Sequence, residues 1–204
     1  MFFRQEAERY FMEELKKAIE TWGRGIGSEI VKVDMFLNHR LDVGLLTRMG
    51  QAFYEAFRSD PVDLILTIEA SGIAAAVTTA QAFGNIPVVF AKKGETANVG
   101  KDVYVSRVYS FTHRQESIIR VSREYLRPGQ RVLIIDDFLA NGEAVDGLRD
   151  ILQQAGCALT GVGICIEKGF QPGGKRLREL GIKVTSLAIV DTIQDGKILV
   201  RGGG

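Results

Sequence analysis

Apolar positions recur at two spacings along the chain, and the change from one to the other marks out its elements. Residues 4–22 carry Ala7, Phe11, Leu15, Ala18 and Trp22 at helical intervals with charges of both signs between them. That pattern predicts an amphipathic helix packed on the body of the protein or on a partner subunit. Trp22-Gly23-Arg24-Gly25-Ile26-Gly27 ends it, and since no apolar strand precedes these glycines they carry little weight as a phosphate loop. A short strand over 30–33 follows, then a helix from about Asp42 to Phe57 whose apolar face is Leu45, Met49, Ala52, Phe53 and Ala56. From Val62 onward, continuous apolar runs predict buried strands over 62–68, 87–90, 131–135 and 159–166, separated by helices over 73–83, 142–155 and about 175–180. Residues 102–111 and 116–121 alternate and suit an antiparallel pair, and strands over 183–189 and 197–200 close the chain. Strands alternating with helices imply an α/β fold with a doubly wound, mostly parallel sheet. Ligands in such sheets bind beyond the carboxyl ends of the strands, which nominates Glu69–Gly72, Ala91–Lys93, Asp136–Ala144 and Glu167–Phe170.

Composition narrows the function classes. The 204 residues are 46% hydrophobic, and 26 Lys and Arg against 25 Asp and Glu leave a net charge of +1. Disorder is excluded at this hydrophobic content, and no global basic excess calls for a nucleic-acid partner. Cys157 and Cys165 form no CxxC pair or disulfide framework, as expected of a cytoplasmic protein. Ala70 to Ala91 contains no charge over 22 residues, the length of a membrane span. Ser71, Gly72, Thr78, Thr79, Gln81, Gly84, Asn85 and Pro87 interrupt it, so a buried helix, a turn and a buried strand are expected in place of a membrane segment. No secretory signal is visible in the first 22 residues, which carry charges throughout.

The most informative stretch is Val132-Leu133-Ile134-Ile135-Asp136-Asp137-Phe138-Leu139-Ala140-Asn141-Gly142-Glu143-Ala144. Four apolar residues make a buried strand, two carboxylates are expected at its end, and a loop of small residues opens a helix. Carboxylates at a strand tip accept hydrogen bonds from hydroxyls or hold a cation. The backbone amides of Ala140, Asn141, Gly142, Glu143 and Ala144, at a helix N-terminus, suit a phosphate. A diol beside a phosphate describes a ribose 5-phosphate.

This stretch resembles the phosphoribosyl-diphosphate (PRPP) motif of the type I phosphoribosyltransferases. The likeness runs over nearly the whole chain and is nearest to the bacterial xanthine-specific branch, through 33–39, 136–142 and 166–172. It implies the type I fold: an N-terminal helix and hood over 1–60, and a PRPP-binding core over 61–204 with a mobile loop or hairpin at 91–122 and terminal strands at 183–200. Asp136 and Asp137 would be the catalytic pair, holding the ribose 2- and 3-hydroxyls, with the loop over 140–144 on the 5-phosphate. That loop departs from the commoner Thr- and Gly-rich pattern, so backbone contacts to the phosphate are the ones expected. Glu69, Ala70, Ser71 and Gly72 occupy the place of the diphosphate loop, where Gly72 permits close approach of the backbone, and Lys92 and Lys93, after a strand, suit diphosphate charge. Val31 and Asn38 would shape the hood over the purine and Lys168 would contact it. A Lys ammonium donates to the carbonyls of xanthine and would be poorly satisfied by adenine. Mg²⁺ is expected to arrive with the diphosphate, with no metal held by the protein directly, and the enzyme is expected to be a homodimer. Guanine or hypoxanthine specificity is the alternative within the class. A PRPP-sensing regulator is the alternative outside it, but it would need a DNA-binding domain of roughly 60–80 residues ahead of the core.

Overall fold

The computed structural model describes residues 12–94, 102–110 and 115–201. Helix α1 (Glu13–Trp22) leads into an antiparallel hairpin of β1 (Arg24–Ile26) and β2 (Ile30–Lys32), a π-helical turn over Asp34–Asn38, and α2 (Val43–Phe57). There follow β3 (Leu64–Ile68), α3 (Gly72–Ala82), β4 (Val88–Lys93), β5 (Val103–Ser110) and β6 (Gln115–Ser122). The rest is β7 (Arg131–Leu139), α4 (Glu143–Gln154), β8 (Ala158–Lys168), α5 (Gly173–Glu179), β9 (Val184–Gln194) and β10 (Lys197–Val200). Residues 4–11 of the expected first helix lie outside the described residues.

Eight strands form one sheet in the order β10-β9-β8-β7-β3-β4-β6-β5. The five from β9 to β4 are parallel, and the β5–β6 hairpin and β10 add antiparallel edges. All five residues of β3 are buried, as a run with Thr67 as its one polar residue requires of a strand covered on both faces. On one face, Leu133 and Ile135 of β7 pack with Leu45, Met49, Phe53 and Phe57 of α2 and with Ala75, Ala76 and Ala80 of α3. On the other, Val132 and Ile134 pack with Val145, Leu148, Ile151 and Leu152 of α4. Each fully buried Phe or Leu stabilises by about 1.5–3 kcal/mol. Asp42 caps α2, its side chain accepting from Leu45 N at 2.9 Å. Gly50 lets α2 and α3 touch: a Cβ there would lie 2.5 Å from the Thr78 carbonyl.

Several expectations change. β4 runs on through Lys92 and Lys93, because Arg120 and Ile119 of β6 supply its partners, so these lysines lie in the strand instead of following it. The antiparallel pair expected over 102–111 and 116–121 is present as β5 and β6, built into the sheet beside β4, while 95–101 and 111–114 lie outside the described residues. The uncharged run is covered only in part: Val77 and Phe90 remain 43% and 38% exposed. Trp22, expected on the apolar face of α1, is 51% exposed and leans on Phe36. Gly84 and Asn85 both take positive φ, which is the turn expected between helix and strand.

Candidate active site

β7 reaches Leu139, so the acid pair is not at its tip. β8 continues alongside, pairing Asp136 with Ile164, Phe138 with Ile166 and Leu139 with Glu167. On the other side, the last pair with β3 is Leu66 with Ile134, and β3 ends two residues later at Ile68. The carboxylates therefore sit where one neighbouring strand stops and the other goes on. Strict alternation would place Asp136 and Asp137 on opposite faces. The alternation slips here: Leu133 and Ile135 face α2 and α3, yet Phe138 joins that side and Leu139 the α4 side, and in β8 Cys165 and Ile166 both join the α2–α3 side. That half-step lets both acids line one cavity.

The cavity, of about 270 Å³, is lined by Glu69, Ser71, Lys93, Asp136, Asp137, Glu143 and Ala144, with Ile68, Val108, Ser117 and Ile119 completing its wall. Asp136 and Asp137 are only 4% and 8% exposed. Asp136 Oδ1 accepts from the Asp137 amide at 2.9 Å. Burial, and then the charge of Asp137, push the Asp136 carboxyl well above the usual carboxylate range. Glu69 Oε1 accepts from the Lys93 amide at 2.6 Å, which ties the Glu69–Gly72 loop to β4, and the Glu69–Ala70 peptide is cis. Lys93 reaches the cavity, whereas Lys92, next along the strand, is not among its lining residues. Gly72 is required by a protein contact, in addition to any ligand: a Cβ there would lie 2.3 Å from Thr67 Oγ1 and 2.8 Å from Asp136 Oδ1.

Beyond β7 the chain turns through Ala140 and Asn141 into Gly142, which caps α4 at φ 97°. Only glycine holds that conformation readily. Glu143 and Ala144, the first residues of α4, face the cavity, and α4 presents its N-terminal amides and positive dipole end at the same edge.

The base-side candidates lie elsewhere. Lys168 ends β8, its Nζ donating to the Glu29 carbonyl at 2.8 Å and standing 6.0 Å from the centroid of the Phe138 ring. Partial burial lowers its pKa. Asn38 closes the π-helical turn and is exposed, while the Val31 side chain is 7% exposed and packs into the core beneath the β1–β2 hairpin. None of Val31, Asn38 and Lys168 lines the cavity.

Sequence reasoning missed Phe138 as the neighbour of Lys168, and missed the hairpin residues Val108, Ser117 and Ile119 in the cavity wall. It also missed a buried network in which Arg178 donates to both Glu167 oxygens, at 2.9 and 2.7 Å, and Ser186 Oγ donates to Glu167 at 2.5 Å. The signal for that network was the acid at 167, buried within an apolar strand.

A profile of the phosphoribosyl transferase domain matches residues 44–179. A xanthine phosphoribosyltransferase of Laribacter hongkongensis is 52% identical over 92% of this chain and 98% of its own length. Another, from Clostridioides difficile, is 50% identical over 93% of this chain and 100% of its own. Among solved structures, the adenine phosphoribosyltransferase of Rhodothermus marinus superposes with a TM-score of 0.70 over 87% of this chain and 97% of that one, at 22% identity, a likeness of fold. With half of its residues shared over almost its whole length, and with the acid pair and loop assembled at one sheet edge, the chain belongs to the phosphoribosyltransferase family.

Proposed function

We propose that the chain transfers the 5-phosphoribosyl group from PRPP to xanthine, giving xanthosine monophosphate and diphosphate. The observation that carries this reading is the single cavity into which Glu69, Ser71, Lys93, the Asp136–Asp137 pair and the start of α4 all open. Its acids accept from the ribose hydroxyls. The amides of Ala140 to Ala144 take the 5-phosphate at the helix N-terminus. The Glu69-Ala70-Ser71-Gly72 loop and Lys93 take the diphosphate, with Lys92 adding positive field from across β4.

The base enters beside Lys168 and Phe138, under a hood to which Asn38 contributes from the exposed side and Val31 from beneath. Two relatives half identical to this chain are named for xanthine, whose carbonyls suit a Lys ammonium. A ring nitrogen attacks the anomeric carbon as the bond to diphosphate breaks and the ring proton is released. The protein contributes by positioning both partners and stabilising separating charge.

The carboxylates of the cavity are oxygen donors of the kind Mg²⁺ accepts. Held chiefly by PRPP oxygens and water, Mg²⁺ would neutralise the departing diphosphate. We further place the enzyme in the cytoplasm as a homodimer, with a hood before residue 61 and the PRPP core after it. Among the described residues no helix is long and apolar enough to cross a membrane.

Competition among xanthine, guanine, hypoxanthine and adenine, with PRPP and Mg²⁺, tests the reading. Xanthosine monophosphate should form preferentially, and its absence would overturn the proposal.

A further inference from the structure

Helix α5 makes close contacts with the loop that precedes α4. Its first residue, Gly173, donates its amide to the Ala140 carbonyl at 3.0 Å. A Cβ on Gly173 would lie 2.3 Å from that carbonyl oxygen and 2.8 Å from Gly142 N, so only a glycine lets the helix come this near. One turn on, Arg176 Nη2 donates to the Asn141 carbonyl at 3.1 Å and to Asp146 Oδ2 at 2.5 Å. The guanidinium lies against Gly142, where an added Cβ would meet Arg176 Nη2 at 2.7 Å. The other end of α5 is fixed to the sheet by the Arg178–Glu167 pair, and Gly174 leaves room for the Glu167 carboxylate, 2.0 Å from where a Cβ would stand.

These contacts have a directional consequence. In a planar trans peptide the C=O of one residue and the N–H of the next point opposite ways. Drawing the carbonyls of Ala140 and Asn141 toward α5 therefore aims the amides of Asn141 and Gly142 away from it. Asp146, on the first turn of α4, accepts from the same Nη2 through Oδ2 while its Oδ1 accepts from Arg149 at 3.1 Å, so the guanidinium cannot swing away without giving up the Asn141 carbonyl and a carboxylate held in place by a second arginine.

We infer that Arg176 is a positioning residue: it fixes the peptide orientations of the 140–142 turn so that its amides face the ribosyl 5-phosphate, without touching the substrate itself. This rests on the reading of 140–144 as the phosphate loop and adds to it the group that sets the loop's geometry. Wild type, Arg176→Met, Arg176→Lys, Asp146→Asn and the Arg176→Met/Asp146→Asn double variant would be compared by steady-state kinetics and by hydrogen exchange resolved over residues 140–146. Arg176→Met should raise the PRPP KM roughly tenfold, the loss of one charge-assisted hydrogen bond, with the xanthine KM within about twofold. Exchange should quicken over 140–146, with the rest of the chain unchanged. Arg176→Lys should recover part of the loss, since a lysine restores the charge without the fork. Asp146→Asn should raise the PRPP KM less than Arg176→Met, since Arg176 keeps its bond to the Asn141 carbonyl, and the PRPP KM of the double variant should fall short of the product of the two single effects, because they share the Arg176–Asp146 contact.

Unchanged loop exchange in Arg176→Met, or equal rises in both KM values, would overturn the positioning role. Faster loop exchange with an unchanged PRPP KM would instead overturn the reading of the loop as the phosphate site, and the proposal with it.

Discussion

The cavity proposed to take ribose and phosphates and the region outside its lining proposed to take the base differ in how much geometry the fold sets before a ligand arrives. At the first, two buried acids, a glycine with no room for a methyl group and a loop drawn to α5 are held from several sides. At the second, a half-buried lysine rests on one carbonyl of a short hairpin and near one aromatic ring, and Asn38 is exposed. A group common to every substrate of a reaction class rewards rigid preorganisation. A base that must enter under a hood needs contacts that can be exchanged, and the Lys168–Glu29 hydrogen bond is one that a purine carbonyl can replace.

The sharpest way to break this contrast is at the acid pair. Asp136→Asn with Asp137→Asn should lower kcat/KM for PRPP by roughly a thousandfold or more, each carboxylate accepting charge-assisted hydrogen bonds worth about 1.5–3 kcal/mol. Asp136→Asn alone should also raise thermal stability. The Asp136 pKa is raised in the fold, so above the ordinary carboxylate range the native state holds more protons than the unfolded chain. Stability is then lost as pH rises from the unfolded value toward the folded one. The amide should remove that loss, so its gain in Tm over wild type should be larger at pH 8 than at pH 5. A lower Tm at both would show that the buried acids are satisfied as they stand.

At the base end the effect should be smaller and confined to one substrate. Lys168→Ala should raise the xanthine KM roughly ten- to a hundredfold, as loss of a hydrogen bond from a charged donor predicts, with the PRPP KM changed little. The reverse ordering in initial-rate measurements would remove Lys168 from the base site. Between these two lies Gly72→Ala. Its methyl group would collide with Thr67 Oγ1 and Asp136 Oδ1, costing about 1–3 kcal/mol of stability and raising the PRPP KM through the displaced acid. Gly50→Ala, equally crowded but between α2 and α3, should cost similar stability by denaturant titration and leave both KM values alone.

The two ends were not equally legible in the sequence. Val132 to Ala144 announced both the buried strand and the acid pair, because a continuous apolar run, adjacent carboxylates and a small-residue helix start are all local signals. What made the site work was not local. β7 and β4 outran their expected ends because partners arrive from Glu167 in β8 and from Ile119 and Arg120 in β6. The slip that turns both acids into one cavity is a property of paired strands, and no periodicity of β7 alone reveals it. Arg176 carries no local signal, since its contact is with Asn141, 35 positions away. Of the hood, β2 was legible as the short strand over 30–33, but its partner β1 was not, since the three residues Arg24-Gly25-Ile26 offer too few positions for an alternation to be seen.

The smallest effect belongs at the far end of the same strands, and it serves as the control for the others. Asp63 and Arg131 join the N-terminal ends of β3 and β7: the Asp63 amide donates to the Arg131 carbonyl at 2.8 Å, and Arg131 Nε donates to Asp63 Oδ2 at 2.8 Å. The Arg131 side chain and backbone hold the Asp63 carboxyl down at about 2. Its folded pKa is below its unfolded one, so the contribution is fully present above the ordinary carboxylate value and disappears as pH falls through about 2. The pair is half in solvent, with side-chain exposures of 48% and 33%, and screening keeps such contributions small. Asp63→Asn should therefore leave kcat and both KM values unchanged and lower Tm slightly at pH 7. The difference should vanish in acid, where the wild-type carboxylate is itself protonated. A kinetic effect from this site would mean that the sheet transmits strain from its closed end to the acid pair, and the rigidity ascribed to the phosphate side would then belong to the whole of β7.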